Sequence, residues 1–256
     1  MKYCISNRQP KSALSQADEI KVRYSDKDTI INLIEDFPDK TIILEVPRGE
    51  VVDWELARVY KEKTDFILSI EDLRMAYLCH SNGIKFYWSY PITNFFELQQ
   101  VAAMGPCYLF IESPIFFSMD KIKNITNIPL RVSPCMFYYD YIPMTHHVFD
   151  SWIRPEDVKL YEDYVTTFEF KGEAEVERTL MHVYKDNQEW NGNFNLLLTN
   201  FGINVDNRGF PEELGPTRLN CGQRCMSGGA CRLCERAVTF ANAVKKEHYN
   251  RLNEEN

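Results

Sequence analysis

Short β-rich runs alternate with segments of helical apolar spacing over the first 186 residues, and no other feature constrains the fold as strongly. The helical segments are Val51–Lys61, Leu73–Cys79, Phe95–Met104 and Val158–Tyr164, and Lys171–Tyr184 closes the series as an eighth helix. The runs that read as strands are Tyr3–Ser6, Thr41–Val46, Phe66–Ile70, Lys85–Ser89, Tyr108–Ile111, Leu130–Ser133, His147–Ser151 and Thr166–Phe170. Eight alternations of strand and helix predict a closed parallel barrel, the (β/α)8 or TIM type of α/β fold.

The seventh repeat is the weakest part of this pattern. The stretch Met136–Phe149 is rich in aromatic residues and has no clear helical spacing. A seven-stranded or partly open barrel is therefore the alternative to eight closed repeats.

The composition changes after residue 186, which predicts two parts: a barrel over 1–186 and a C-terminal extension over 187–256. Asn187–Asn220 is rich in Asn, Gly and Pro, which is typical of irregular chain, with one short apolar strand at Asn195–Thr199. A helix is predicted from about Glu235 to Leu252. A chain of 256 residues is long enough to bury a core without disulfide bonds.

The charge balance limits the classes of partner. The chain has 29 Lys and Arg against 37 Asp and Glu, a formal charge of -8, which argues against a surface that binds nucleic-acid backbone everywhere. A local basic run, Arg224, Arg232, Arg236, Lys245 and Lys246, suits a nucleic-acid or acidic contact, although a solvated helix face explains such a run more often. No stretch approaches the roughly 20 apolar residues of a membrane span, so we expect a cytoplasmic protein without a membrane partner.

Four cysteines lie within the sequence CGQRCMSGGACRLC, at Cys221, Cys225, Cys231 and Cys234. Thiolates this close together repel one another unless a cation or a cluster neutralises them, and the glycines among them let the backbone fold tightly. The motif predicts a closed four-cysteine site for Zn2+, with a 4Fe-4S cluster on the same ligands as the alternative. The alternative interpretation of the motif is that its cysteines form local disulfides or remain unligated thiols. The cytoplasmic expectation disfavours the disulfides, and the density of thiols disfavours unligated cysteines.

The other four cysteines are scattered in or beside apolar runs. For Cys4, Cys79 and Cys107 we expect core packing, since a buried free thiol behaves as a small hydrophobe. Cys135 is the exception, because it follows a predicted strand and remains a candidate functional residue.

Polar residues at the ends of the predicted strands are the candidates for a site, because the chemistry of parallel barrels gathers there. They are Asn7, Arg8, Glu45, Arg48, Glu71, Asp72, Tyr90, Glu112, Ser113, Ser133, Cys135, Glu169 and Lys171. Glu45 and Glu112 stand out because an acid at an otherwise apolar strand end is costly unless it binds something. With Arg131 they are the predicted catalytic residues. Structural ion pairs with Arg8, Arg48 or Arg131 are the alternative.

One segment carries a family resemblance. In the run IRPEDVKLYEDYVTTFEFKG, Pro155, Asp157, Leu160, Phe168, Phe170 and Gly172 fit the pattern that ends the barrel of the collagenase-like peptidase family, a family of unknown catalytic type numbered thirty-two. The phrase NRGF at 207–210 resembles a later motif of that family, and the likeness covers about a third of the chain.

The resemblance implies a barrel and shifts the expected activity away from proteolysis. It points to oxygen-independent hydroxylation of RNA or of quinone precursors, which some members of the family carry out with a cysteine-ligated 4Fe-4S cluster. Cys135 lies about where those members place their first barrel cysteine. The chain differs from the pattern at Glu173, where the family has Arg, and in placing its four-cysteine motif after the barrel.

Two classes of function follow from the sequence. The first is an enzyme of the hydroxylating type, acting on RNA or on a small aromatic molecule in a pocket flanked by Glu45, Glu112 and Arg131. The second is a non-catalytic barrel that serves as a zinc-stabilised binding or assembly module for a protein partner. In that case the aromatic run Phe137–Tyr141 plugs the mouth of the barrel.

Overall fold

The computed structural model describes residues 1–90, 92, 94–111, 118–134, 153–170, 174–186 and 213–221, and residues 232, 233, 236, 239, 240 and 243. Eight parallel strands close into a barrel in chain order, with the last strand paired to the first. They are β1 (Lys2–Ser6), β2 (Glu19–Arg23), β3 (Thr41–Glu45), β4 (Phe66–Ile70), β5 (Phe86–Trp88), β6 (Tyr108–Ile111), β7 (Leu130–Val132) and β8 (Val165–Glu169). The predicted fold class is confirmed.

Helices follow the strands and run back along the outside of the barrel. They are α1 (Lys11–Leu14), α2 (Lys27–Asp36), α3 (Trp54–Lys63), α4 (Leu73–Asn82), α5 (Phe95–Ala103), α6 (Met119–Ile125), α7 (Val158–Tyr161), α8 (Ala174–Lys185) and α9 (Leu214–Leu219). The side chains of Asp26, Asp53, Asp72 and Asn94 accept hydrogen bonds from backbone N–H groups in the first turns of α2 to α5. These helices therefore begin just beyond the carboxyl ends of the strands, at the end of the barrel that we call the mouth.

The strand count was right, but one strand was missed. β2 reads Glu-Ile-Lys-Val-Arg, and alternating charge is typical of a strand with one solvated face, whereas strands of parallel barrels are usually apolar throughout. The predicted strand His147–Ser151 lies outside the described residues, as does Asn195–Thr199. β7 pairs directly with β8, so the ring closes without a strand at 147–151 and the open-barrel alternative is wrong.

Two layers of core follow from the alternation of side chains along the strands. Outward-facing residues pack under the helices, and a separate small cluster of Cys4, Ile43, Ile67, Tyr87 and Phe110 fills the barrel interior. Among the described residues, no helix has the length and apolar character that crossing a membrane requires.

A bulge in β8 changes which of its residues face inward. The register with β7 skips Thr166, since Leu130 lies opposite Val165 and Arg131 lies opposite Thr167. Val165 and Phe168, three positions apart, consequently both join the outer core, which strict alternation does not allow. The shift turns Glu169 into the interior, where it reaches β2 and β7.

Candidate active site at the barrel mouth

A fully buried arginine occupies the barrel interior. Arg131 of β7 is 0% exposed and donates hydrogen bonds to Glu19 of β2 and, at 3.4 Å, to Oε2 of Glu169. Its guanidinium also lies 4.6 Å from the ring centroid of Tyr87, within range of a cation–π interaction. Burial opposes the charge, but Glu19 and its neighbours raise the pKa of Arg131 well above its usual value. Arg131 is therefore a fixed cation between two carboxylates.

Lys21, two residues beyond Glu19 on β2, links the interior to the mouth. Its Nζ lies 2.8 Å from Oε1 of Glu169 and 3.2 Å from Oε1 of Glu45. Burial favours the neutral amine, but Glu169 and Glu45 outweigh it and raise the pKa of Lys21 well above the ordinary 10.5. At neutral pH Lys21 is an ammonium ion, which suits it to hold negative charge rather than to attack a carbonyl as a free amine.

Tyr87 and Cys4 complete the neutral part of the interior. The Tyr87 hydroxyl donates to Oε2 of Glu169 at 3.2 Å. Burial raises the pKa of both the Tyr87 phenol and the Cys4 thiol far above their usual values. Both groups therefore keep their protons, and Cys4 lacks the thiolate character of a reactive cysteine.

A pocket of about 290 Å³ opens at the carboxyl ends of β2 to β5 and of β8. Its lining residues are Lys21, Arg23, Glu45, Val46, Pro47, Arg48, Ser69, Glu71, Tyr87, Ser89 and Glu169. The two carboxylates that share Lys21 differ in access, because the Glu45 side chain is 41% exposed and that of Glu169 is 2% exposed. A molecule in the pocket can thus reach Glu45, while Glu169 serves to hold Lys21 in place.

The rim of the pocket is polarised. Arg23, which lies opposite Glu45 in the β2–β3 register, and Arg48, in the loop after β3, are both exposed. Neither guanidinium forms an ion pair with any carboxylate in the part of the chain that the structure describes. Glu71 lies on the wall after β4. Unpaired guanidiniums that line a cavity favour an anionic ligand group.

The predicted site residues lie in three different places. Glu45 is at the pocket, and its ion-pair partner is Lys21, so the alternative of a pair with Arg8, Arg48 or Arg131 is wrong for this acid. Arg131 lies in the buried interior and does not flank the pocket. Glu112 lies outside the described residues, as do Cys135 and the aromatic run 137–141. The catalytic role of Glu45 and Arg131 stays a prediction.

Lys21 and Arg23 were not among the predicted site residues, because β2 was not among the predicted strands. The signal was present in the alternation of Glu, Lys and Arg with Ile and Val over 19–23. By itself this alternation is typical of a solvated strand, and it indicates charges that point into the barrel only once the strand is placed in a closed ring.

Arg8, another candidate at a strand end, belongs to a structural contact. Glu177 in the first turn of α8 is buried and accepts hydrogen bonds from the Ser6 hydroxyl at 2.6 Å and from Nε2 of Gln9 at 3.0 Å, with Arg8 at 3.5 Å. This contact ties the end of β1 to α8.

The four-cysteine motif falls largely outside the described residues, which include only Cys221, a half-buried free thiol. No group of three or more His, Cys, Asp or Glu side chains in the described part of the chain is arranged to hold a metal ion. The metal site therefore stays a prediction. Cys4 and Cys79 are buried, which confirms the expected core packing for these two.

Comparison with known proteins finds similarity among solved structures only. No protein-family model and no curated protein sequence matches the chain. Among solved structures, 3-keto-L-gulonate-6-phosphate decarboxylase from Vibrio cholerae is 11% identical with a TM-score of 0.44 over 73% of this chain and 96% of its own. A U32 peptidase is 8% identical with a TM-score of 0.47 over 68% and 94%. Thiamine phosphate pyrophosphorylase from Pyrococcus furiosus is 13% identical with a TM-score of 0.43 over 72% and 93%.

At these identities and TM-scores, none of the likenesses bears on activity. The chain is, on its own geometry, a closed (β/α)8 barrel with a charged pocket at its mouth.

Proposed function

We propose that this protein is an enzyme whose reaction takes place in the mouth pocket, on a small polar substrate that carries an acidic group. One observation carries the proposal: a solvent-accessible carboxylate, Glu45, lies 3.2 Å from a buried and protonated Lys21 inside a cavity at the carboxyl ends of the strands. Active sites of parallel barrels lie at this end. A pairing of this kind supplies a base next to a fixed positive charge.

In this proposal Glu45 takes a proton from the substrate. Oε1 of Glu45 contacts Lys21, and because the side chain is 41% exposed, the carboxylate can also accept a hydrogen bond from a substrate hydroxyl or amine. The Lys21 ammonium stabilises the negative charge that develops when that proton leaves. Glu169, held by Tyr87 and Arg131, fixes the position of Lys21. Arg23 and Arg48 bind the acidic group of the substrate at the rim.

The family resemblance implies an oxygen-independent hydroxylation of RNA or of a small aromatic molecule. Replacing a C–H bond by C–OH removes two electrons from the substrate, so the proposal requires a hydroxylated organic co-substrate that donates the oxygen atom and accepts those electrons. A phosphate of RNA or an acidic substituent on an aromatic ring meets the requirement that the two rim arginines set. The four cysteines bind either a 4Fe-4S cluster, which carries electrons in such chemistry, or a zinc ion that stabilises the extension.

Metal content separates these two roles. Protein purified without oxygen is analysed for iron and zinc, and its ultraviolet–visible spectrum is recorded. Broad absorption near roughly 400 nm with about four irons per chain supports the redox enzyme. One zinc per chain in a colourless sample makes the cysteine site structural and leaves the mouth pocket as the place for chemistry.

The anion requirement is tested by the shift in melting temperature that ligands cause. The probes are inorganic phosphate, benzoate and a short oligoribonucleotide, at matched ionic strength. We expect a dose-dependent stabilisation that the double variant Arg23→Gln/Arg48→Gln abolishes. Arg58→Gln is the matched control, because Arg58 is exposed on α3 and bonds to Asn82 at 2.8 Å, away from the pocket. Equal shifts in all three proteins would contradict the proposed anion site.

The role of Glu45 is tested with the probe class that binds. Substrate candidates of that class are screened for turnover, and Glu45→Gln is expected to keep binding while losing about 10²- to 10⁴-fold in rate, the usual contribution of a general base. Turnover unchanged in Glu45→Gln would remove Glu45 from the mechanism.

A binding or assembly module is the second candidate, and one observation favours it. The interior charges Arg131, Glu19, Glu169 and Lys21 are already paired with one another, as in a purely structural network. If no probe stabilises the protein and Glu45→Gln changes no measured property, the module is the better description.

A further inference from the structure

The extension is joined to the barrel at the mouth. Helices of the barrel run opposite to the strands, so the first turn of α6 lies at the mouth. The preceding residue, Ser118, does not cap α6 with its own side chain. Instead Asn220, which lies 100 residues beyond Asp120 in the chain, accepts hydrogen bonds at Oδ1 from the Asp120 backbone N–H at 3.0 Å and from the Ser118 hydroxyl at 2.9 Å. Asn220 is therefore a cap for α6 supplied from the extension.

The same contact is reinforced from both partners. Nδ2 of Asn220 donates to Oδ2 of Asp120 at 2.8 Å, and the other oxygen of Asp120 accepts from the Tyr164 hydroxyl at 2.7 Å. The helix that leads to Asn220, α9, packs against α7. The carboxylate of Asp120 is thus held between the extension and the chain after α7.

A second attachment lies 13 residues further on. Leu233 is 7% exposed and belongs to the barrel core, and Phe240 packs against that core. In the sequence, Cys221 directly follows Asn220 and Cys234 directly follows Leu233. The first and last cysteines of the motif are therefore each next to a residue anchored on the barrel. An independently folded appendage does not require such anchors.

We propose that Asn220 is a positioning residue for the cysteine motif: it holds Cys221 beside α6 at the mouth, and it couples metal binding by the motif to the order of the first turn of α6. This rests on the metal-binding part of the proposed function and is independent of the role of Glu45. The coupling follows because a ligand that must be placed correctly binds its metal more weakly when its backbone is released. It puts Cys221, the first cysteine of the motif, on the same face of the barrel as the pocket.

The test is a cobalt titration of metal-free protein, with a chelator competing for the metal, in the absence of oxygen. Cobalt reports thiolate ligation through its charge-transfer absorption. We expect Asn220→Ala to bind cobalt at least about 10-fold more weakly than the unchanged protein, as second-shell changes do, although all four cysteines remain. Thr217→Ala is the matched control, since Thr217 is exposed on α9, the helix that leads to Asn220. Ser118→Ala, which removes one of the three Asn220 bonds and leaves Asn220 in place, is expected to give a smaller loss.

Hydrogen exchange of the Asp120 amide distinguishes the proposed coupling from a merely structural role of Asn220, because only the coupling makes the exchange rate depend on metal. Metal is expected to slow this exchange in the unchanged protein and in Thr217→Ala, and to leave it unaltered in Asn220→Ala. Equal cobalt affinity in Asn220→Ala and the unchanged protein overturns the proposal. The proposal is also overturned if the exchange rate of the Asp120 amide in the unchanged protein is the same with and without metal. A chain that takes up no cobalt overturns both this coupling and the metal site, whereas the role of Glu45 then still depends on the turnover measurement alone.

Discussion

The two sides of the barrel interior are built on different principles. The side formed by β3, β4 and β6 is filled by Ile43, Ile67 and Phe110, which need only fit one another. The side formed by β2, β7 and β8 carries two acids and two bases, Glu19, Glu169, Arg131 and Lys21, which need partners at defined distances. Apolar packing tolerates small changes of shape, whereas a buried charge without its partner is strongly destabilising.

The charged residues of the interior also differ from one another in their access to solvent. Arg131 and Glu19 are fully buried, and Lys21 and Glu45 lead out into the pocket. The inner pair therefore contributes to positioning, and the outer pair is the one a substrate can meet. Changes along this line should have effects on stability that diminish from the interior to the rim.

Arg131→Met gives the largest expected loss. It leaves Glu19 and Glu169 without their shared cation inside the barrel, so we expect the free energy of unfolding in urea to fall by about 3–5 kcal/mol. Ile43→Val, the matched change on the apolar side, should cost about 0.5–1.5 kcal/mol. Equal losses for the two variants would erase the distinction between the two sides.

Lys21→Met should have an intermediate effect. Glu169 keeps Arg131 and Tyr87 as partners, and Glu45 is open to water, so we expect a loss of about 1–3 kcal/mol by the same measurement. A loss larger than that of Arg131→Met would show that the outer pair, and not the inner one, holds the charged side together.

Alkaline pH tests the charged side of the interior without a substitution, because it removes the charge of Lys21. Because Lys21 has a pKa raised above 10.5 in the folded protein, its stabilising contribution is complete below pH 10.5 and is lost as the pH rises through the folded pKa. The free energy of unfolding should fall by up to about 1.4 kcal/mol per pH unit from this residue. Lys21→Met should therefore show a shallower decline. Some decline remains, since burial also raises the pKa of Tyr3 to about 12.

Glu45→Gln should have the smallest effect on stability. The Glu45 side chain is 41% exposed, and solvent screens its pair with Lys21, so we expect a change below about 1 kcal/mol in urea unfolding. Combined with the loss of turnover proposed above, this result would assign Glu45 to chemistry. A loss as large as that of Lys21→Met would instead assign it to structure.

The bounds of several strands and helices of the barrel were predicted accurately from the sequence. The predicted strands Phe66–Ile70 and Tyr108–Ile111 match β4 and β6 residue for residue. α3 begins at Trp54 instead of the predicted Val51, because the side chain of Asp53 accepts a hydrogen bond from the N–H of Leu56 and starts the helix there. Errors of this size come from local capping, which apolar spacing does not reveal.

The charged strand could not be read in the same way. Its pattern is that of a solvated strand, and only the closure of the ring shows that Glu19 and Lys21 point into the barrel instead of into water. The bulge at Thr166, which turns Glu169 inward, left no mark in the apolar pattern of β8.

The sequence by itself determined the class of the fold and the exceptional position of Glu45, because apolar periodicity and an acid at a strand end are local properties of the chain. The partner of that acid, Lys21, and the long-range contacts that hold the site and the extension in place were decided only by the tertiary structure. Lys21 and Glu169 are 148 residues apart, and Ser118 and Asn220 are 102 apart. A hydrogen bond or an ion pair requires two groups within a few ångströms of each other, and over such separations only the closed barrel brings them together.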